Sequence, residues 1–243
     1  MEWVRRMQRY FVNELNNNRF ILSSDDSYHV SVVMRMKIES RIEIVYNNEV
    51  YLTKIISFNP VVAEVIKKID TYNELSKKVT ICQSLVNNDK MHFILEKCTE
   101  LGAYSFIPLS VTNSIIKLND KDKVKKINHY EKIVMGASRQ SKRNIVPRVY
   151  DIMNVEELIK LDFDLKILCT VNEVSRSLKN VLQNSKNYAT MIIVIGPEGG
   201  FTESEEKSLI DNGFISTSLG NLVLRTETAS VVSLSMINYE YER

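Results

Sequence analysis

At 243 residues, 44% hydrophobic and 26% charged, the chain has ordinary globular usage; at about 150 residues per domain it has room for one or two domains but not for a long repeat array. No run approaches the roughly 18 apolar residues of a membrane-spanning helix, and Met1–Arg6 lacks the apolar stretch of a signal peptide. Three cysteines (Cys82, Cys98, Cys169) and three histidines (His29, His92, His129) lie far apart, which argues against a disulfide framework or a metal cluster and for a reduced, cytoplasmic setting; net charge is only +2.

The first 72 residues read as mostly β. Gln8–Val12 and Arg19–Leu22 are strand candidates. Ser24 or Asp25 is placed to cap a helix running to about Met36, with Tyr28, Val32 and Met36 on one face. Arg41–Tyr46 and Glu49–Ile56 are rich in Ile, Val and Tyr and flank Asn47-Asn48, a two-residue hairpin turn because Asn tolerates positive φ. Pro60 precedes a further strand, Val61–Ile69. From about residue 73 strands and helices alternate. Strands are expected at Val79–Ser84, Tyr104–Leu109, Leu165–Thr170, Thr190–Ile195 and Phe214–Leu219. Helices are expected at Asp89–Leu101, Asp120–Arg139, Val155–Lys160, Ser177–Gln183, Glu203–Asn212 and Thr226–Tyr239. Such alternation predicts a parallel α/β sheet with helices on both faces. The domains expected are therefore 1–72, a small barrel-like unit, and 73–243, an α/β unit.

Two compositional asymmetries stand out. Residues 117–148 hold ten Lys/Arg against three Asp/Glu, a local +7 in a chain whose total is +2. A polyanion partner would need such a segment, although a solvated helix face explains Lys117–Lys126 as well. Glycine is rare, yet five of the seven (Gly196, Gly199, Gly200, Gly213, Gly220) fall between 196 and 220. Gly213 reads as a helix C-cap; the others imply unusual backbone geometry.

Three motifs carry chemistry. Ile195-Gly196-Pro197-Glu198-Gly199-Gly200-Phe201-Thr202 leaves a buried strand and enters a helix, with Thr202-x-x-Glu205 as a capping box. Ligands of open α/β sheets sit beyond the carboxyl ends of strands, and glycines let backbone approach them. The pattern is neither a dinucleotide fingerprint nor a P-loop. Leu219-Gly220-Asn221-Leu222-Val223-Leu224-Arg225-Thr226-Glu227-Thr228-Ala229 also joins a strand to a helix. Thr226 and Glu227 are explained as a cap and a first-turn acid, but Arg225 is a cation at a positive helix end, which marks it as functional. In Ala137-Ser138-Arg139-Gln140-Ser141-Lys142-Arg143-Asn144, the cations Arg139, Lys142 and Arg143 suit phosphates, and Gln140 and Asn144 suit base edges.

These motifs, with Glu96-Lys97-Cys98-Thr99-Glu100-Leu101-Gly102 and His29-Val30-x-x-Val33-Met34-Arg35, resemble the ribosomal RNA small-subunit methyltransferase E family, of the SPOUT class. The likeness runs from Arg9-Tyr10-Phe11 to the last helix. It departs at Lys37–Ser40, which lacks a family glycine, and at Asn221, where proline is common. The resemblance implies a PUA-like N-terminal β-barrel, a C-terminal α/β domain with a trefoil knot, and a homodimer. It implies methylation of uridine N3 in 16S rRNA, within the 30S subunit, with S-adenosyl-L-methionine as cofactor.

By the same resemblance the cofactor is held by Leu168, Thr170, Gly196, Glu198, Gly199, Gly200, Leu219, Gly220, Leu222, Leu224, Thr226 and Ala229. RNA is contacted by Arg9, Arg35, Arg139, Gln140, Lys142 and Arg143. Catalysis falls to Arg225 as a cation for developing charge, with Glu198 and Glu227 as candidate bases. A carboxylate near pKa ~4.3 is a weak base unless burial raises it. No metal is expected. Two other readings compete: another SPOUT enzyme acting on tRNA or a ribose 2′-hydroxyl, and a non-catalytic RNA-binding assembly factor.

Overall fold

A computed structural model describes residues 7–114, 116, 118–185 and 187–241. Within these residues the chain forms two compact units, Met1–Glu74 with Ser138–Ile145, and Leu75–Ala137 with Val146–Arg243. The segment 138–145, which the sequence assigns to the α/β unit, is thus part of the first. Among the described residues no helix is long and apolar enough to cross a membrane, and no group of three His, Cys, Asp or Glu side chains is placed to hold a metal.

The first unit is built on a five-stranded sheet of β1 (Arg9–Phe11), β2 (Arg19–Ile21), β3 (Arg41–Tyr46), β4 (Glu49–Ser57) and β5 (Val62–Ile69), in the order β1-β3-β4-β5-β2. β1 runs parallel to β3; the other pairs are antiparallel. Asn47 and Asn48 both hold positive φ, 49° and 64°, which matches the hairpin twist and sets Tyr46 opposite Glu49. Tyr10, Phe20, Ile42, Ile44, Ile55 and Ala63 are fully buried between the strands.

The predicted helix from Ser24 to Met36 is shorter and differently faced. Ser23, one residue earlier than expected, caps α1 (Ser24–Tyr28) by accepting the Asp26 N–H at 3.1 Å. A π-helical turn, His29–Val33, follows, with Met34 N–H donating to the His29 carbonyl at 2.8 Å. The wider turn rotates the helix face. Val30 and Asp26 go inward, while Tyr28 and Val32 stay 61% and 50% exposed.

The second unit carries a six-stranded, all-parallel sheet: β6 (Lys78–Ser84), β7 (Ser105–Leu109), β8 (Arg148–Val149), β9 (Leu165–Cys169), β10 (Thr190–Ile195) and β11 (Ile215–Thr217), ordered β11-β9-β10-β6-β7-β8. The helices are α2 (Asn88–Glu100), α3 (Asp120–Gln140), α4 (Val155–Leu158), α5 (Leu178–Gln183), α6 (Glu203–Asp211) and α7 (Thr226–Tyr241). β8 has two residues, too few for any periodicity, and the sequence gives no sign of it. Successive strand side chains serve opposite faces. Met191, Ile193 and Ile195 join one core with α2 and α7, whereas Ile192 and Val194 join another with Leu209 of α6 and Phe214. That alternation makes β10 apolar from Met191 to Ile195, and the strand order places the carboxyl ends of β11, β9 and β10 side by side.

Candidate active site

Three loops leave those strand ends: 170–177 after β9, 196–202 after β10 and 218–225 after β11. They surround a cavity of about 900 Å³. Its walls include Cys169, Thr170, Ile195, Gly196, Glu198, Leu219, Leu224 and Ala229. Each loop is fixed by local bonds. The Thr226 hydroxyl donates to the Gly196 carbonyl at 2.6 Å and accepts from Gln83 Nε2 at 2.9 Å. Ser230 Oγ in turn donates to Gln83 Oε1 at 2.5 Å. Thr226 is therefore a tie between two loops and β6 rather than the simple cap its sequence position suggests. Asn113 Nδ2 donates to the carbonyls of Gly199 and Gly200, both at 3.2 Å. Thr202 and Glu205 form the predicted capping box, and Glu205 also accepts from Thr112. On the third loop, Thr170 Oγ1 and Asn172 Nδ2 donate to Glu206, at 2.6 and 3.1 Å.

The charged rim is organised by Lys90. Asn87 caps α2 through the Lys90 N–H, and the Lys90 ammonium lies 2.6 Å from Glu198 and 3.7 Å from Glu227. Burial pushes the Glu198 carboxyl up, but the Lys90 ammonium and the residue's own N–H outweigh it, so the group sits below the usual carboxylate value. Glu227 Oε2 is buried with no hydrogen-bond partner. The Arg225 guanidinium is exposed at the cavity and has no hydrogen-bond or ion-pair partner among the described residues. Burial pushes the Cys169 thiol up to about 12, which makes it an inert wall.

The RNA methyltransferase domain model matches residues 73–238, which is this whole loop-and-sheet region. Ribosomal RNA small subunit methyltransferase E of Bacillus subtilis is 35% identical over 97% of this chain and 98% of its own length. The chain belongs to the ribosomal RNA small subunit methyltransferase E family. The Mesomycoplasma hyopneumoniae member is 34% identical over 94% of this chain and 98% of its own. The crystal structure of the Neisseria gonorrhoeae member bound to S-adenosyl methionine superposes with a TM-score of 0.87 at 25% identity, covering 97% and 98% of the two chains.

Of the residues this family resemblance assigned to the cofactor, all except Leu168 line the one cavity. Leu168 is the correction: it is fully buried in the opposite core with Val194, Leu209 and Phe214, because the strand's two-residue period turns it away while its neighbour Cys169 faces in. Of the catalytic candidates, Glu198 and Arg225 line the cavity, and Glu227 meets it through Lys90. Sequence reasoning missed Lys90, Gln83, Asn113 and Glu206. For Lys90 a signal existed, the same one that marks Arg225: a cation in the first turn of a helix, where the dipole disfavours it.

The basic residues expected to meet RNA have a different environment within the first unit. Arg9, 3% exposed, donates through Nε to Glu43 at 2.9 Å and through Nη1 to the Arg143 carbonyl at 3.0 Å. Lys142 Nζ donates to the same Glu43 at 2.8 Å, and Arg139 Nη2 to the buried Asp26 at 2.5 Å. Arg143, 2% exposed, is paired with Glu74. Asn144 is buried too, bonded to Asn73, Asn48 and Thr71. For Arg9, Arg143 and Asn144 this corrects the expectation: buried charges need partners, and these have theirs inside the fold. Arg35 and Gln140 are exposed.

Proposed function

We propose that this chain transfers a methyl group from S-adenosylmethionine to N3 of a uridine in 16S ribosomal RNA. Its family makes it an S-adenosylmethionine-dependent ribosomal RNA methyltransferase. The observation that carries the reading is the meeting of three strand-end loops around one cavity at the carboxyl edge of a parallel sheet. The cavity's chemistry suits the cofactor. Ile195, Leu219, Leu224 and Ala229 offer apolar walls for an adenine ring, and Glu198, Glu173 and Glu206 offer negative charge to a sulfonium and an amine. At Gly220, φ is +135° and a Cβ would meet nothing within 4 Å, leaving backbone open to a ligand.

The bound cofactor supplies an electrophilic methyl group. The loops must hold the uridine with N3 about 3–3.5 Å from that carbon and in line. The N3 proton has to leave, and charge then grows on O2 and O4. Arg225, without a partner among the described residues, is the cation for that charge. Glu198, held ionised by Lys90 at 2.6 Å, is a poor proton acceptor; Glu227, whose Oε2 makes no hydrogen bond and lies farther from the same ammonium at 3.7 Å, is the other candidate base.

The same reading extends to architecture. It makes the first unit a PUA-like barrel and threads the chain between β11 and α7 through a trefoil knot. It has two copies pair, supported by the exposed Val171, Val174, Leu222 and Val223 around the cavity mouth. The substrate would be 16S rRNA in the 30S particle and the site of action the cytoplasm. The test is methylation of 30S subunits from cells lacking the protein, followed by nucleoside mass spectrometry. One 3-methyluridine per particle is expected; a ribose methyl, or no transfer, would overturn it. Sedimentation at micromolar concentration reads the dimer.

A further inference from the structure

The basic segment 117–148 is where the sequence concentrates positive charge, and most of that charge is used internally. Arg139, Lys142 and Arg143 hold carboxylates of the first unit. Lys123 pairs with Asp120 at 2.9 Å, Lys126 donates to Asn88 at 2.7 Å, and the Arg148 guanidinium stacks 4.4 Å over the Tyr150 ring. Three lysines of α3 remain with no partner among the described residues: Lys121, Lys125 and Lys132, all exposed.

Their spacing is not scattered. At 3.6 residues per turn the three fall within about 40° of one another and span about 16 Å along the helix. The exposed Asn128, His129 and Gly136 lie within about 60° of the middle of that stripe. The acids of the helix, Asp120, Asp122 and Glu131, stand about 80–120° away from it. A lysine stripe alone is an ordinary solvated face. Gly136 is the second observation. It is an exposed glycine inside a 21-residue helix, and a Cβ there would meet nothing within 4 Å. Glycine is among the worst residues for a helix interior, and what it offers there is bare backbone that another chain can approach closely. Nothing among the described residues packs against it, so that backbone is open to a partner from outside.

We infer that the Lys121–Lys125–Lys132 face of α3, with Gly136 at its end, is a docking surface for the sugar–phosphate backbone of the RNA substrate. Unpaired ammonium groups in a row match phosphates, and a bare helix backbone lets the strand lie close. Recognition here is of charge and shape, without base reading. The inference rests on the reading of the chain as an RNA methyltransferase.

The test uses the full-length protein and a 16S rRNA transcript, with affinity measured over a series of KCl concentrations. In Lys121→Gln/Lys125→Gln/Lys132→Gln the slope of log K against log salt should become shallower by about 2, at roughly 0.7 per lost phosphate contact. Cofactor affinity by calorimetry should not change. Two single variants separate close approach from folding: Gly136→Leu should weaken RNA binding with little change of slope, since it removes no charge, and Gly136→Glu should weaken it further. Slopes equal to the parent's in all variants would overturn the docking surface while leaving the enzymatic reading intact. A change in sedimentation without a change in RNA affinity would mean that a second copy covers this face, which also overturns it. A parent protein that neither binds nor methylates the RNA would bring down the functional reading itself.

Discussion

Arg225 and Glu198 both line the cavity, but the carboxylate is already paired with Lys90, whereas the guanidinium has no partner among the described residues. Arg225→Ala should therefore leave cofactor affinity unchanged in calorimetry and lower the single-turnover methylation rate by roughly 10²–10³-fold, the usual loss on removing a donor from developing charge. Full activity in that variant would remove Arg225 from the mechanism. Glu173 allows a test of sign. Side-chain and backbone donation from Ser175, and then the Arg176 N–H, hold its carboxyl down at about 2. A depressed folded-state pKa contributes stability above the unfolded value and loses it as pH falls through the folded one. Urea midpoints of Glu173→Gln should thus lie below the parent's at neutral pH. The gap should narrow below about 4.5 and close near 2. A pH-independent gap would mean that the loop is held by something other than this charge.

At the scale of elements, the loops after β10 and β11 act as one unit because α7 begins with Thr226. Thr226→Val keeps the shape but orphans the Gly196 carbonyl and one Gln83 donor, a cost of about 1–3 kcal/mol for each group left unsatisfied. Denaturant unfolding should register that loss, with weaker cofactor binding alongside. The sequence announces these loops well, since glycine clusters and capping boxes are local signals that need no knowledge of neighbours. It announces the parallel sheet equally well, from unbroken apolar runs such as Met191–Ile195. It misses what depends on three-dimensional phase. Leu168 is one residue out of phase with the cavity, and the π-turn after α1 shifts a face that ordinary helical spacing sets elsewhere. Gln83 and Asn113 are invisible because their partners lie more than 80 residues away.

Over the whole molecule, the largest misreading concerns charge. A cation-rich stretch of sequence reads as a surface, yet three of its ten cations, Arg139, Lys142 and Arg143, are internal ties of the first unit. Arg143→Met should destabilise by about 3–5 kcal/mol, because it strands the buried Glu74 carboxylate, and adding Glu74→Gln should recover much of it. An unchanged melting temperature in the single variant would show that Glu74 finds water instead. These ties also bear on how the protein is made. Glu43, Asp26 and Glu74 emerge from the ribosome early, but Arg139, Lys142 and Arg143, which neutralise them, are encoded about 70 positions after Glu74. At about 5–20 residues per second, translation leaves the first unit waiting roughly 4–14 seconds for its last segment. During that interval Asp26 and Glu74 lack their ion-pair partners and Glu43 has Arg9 alone, and a gene fragment ending at residue 74 would make that state permanent.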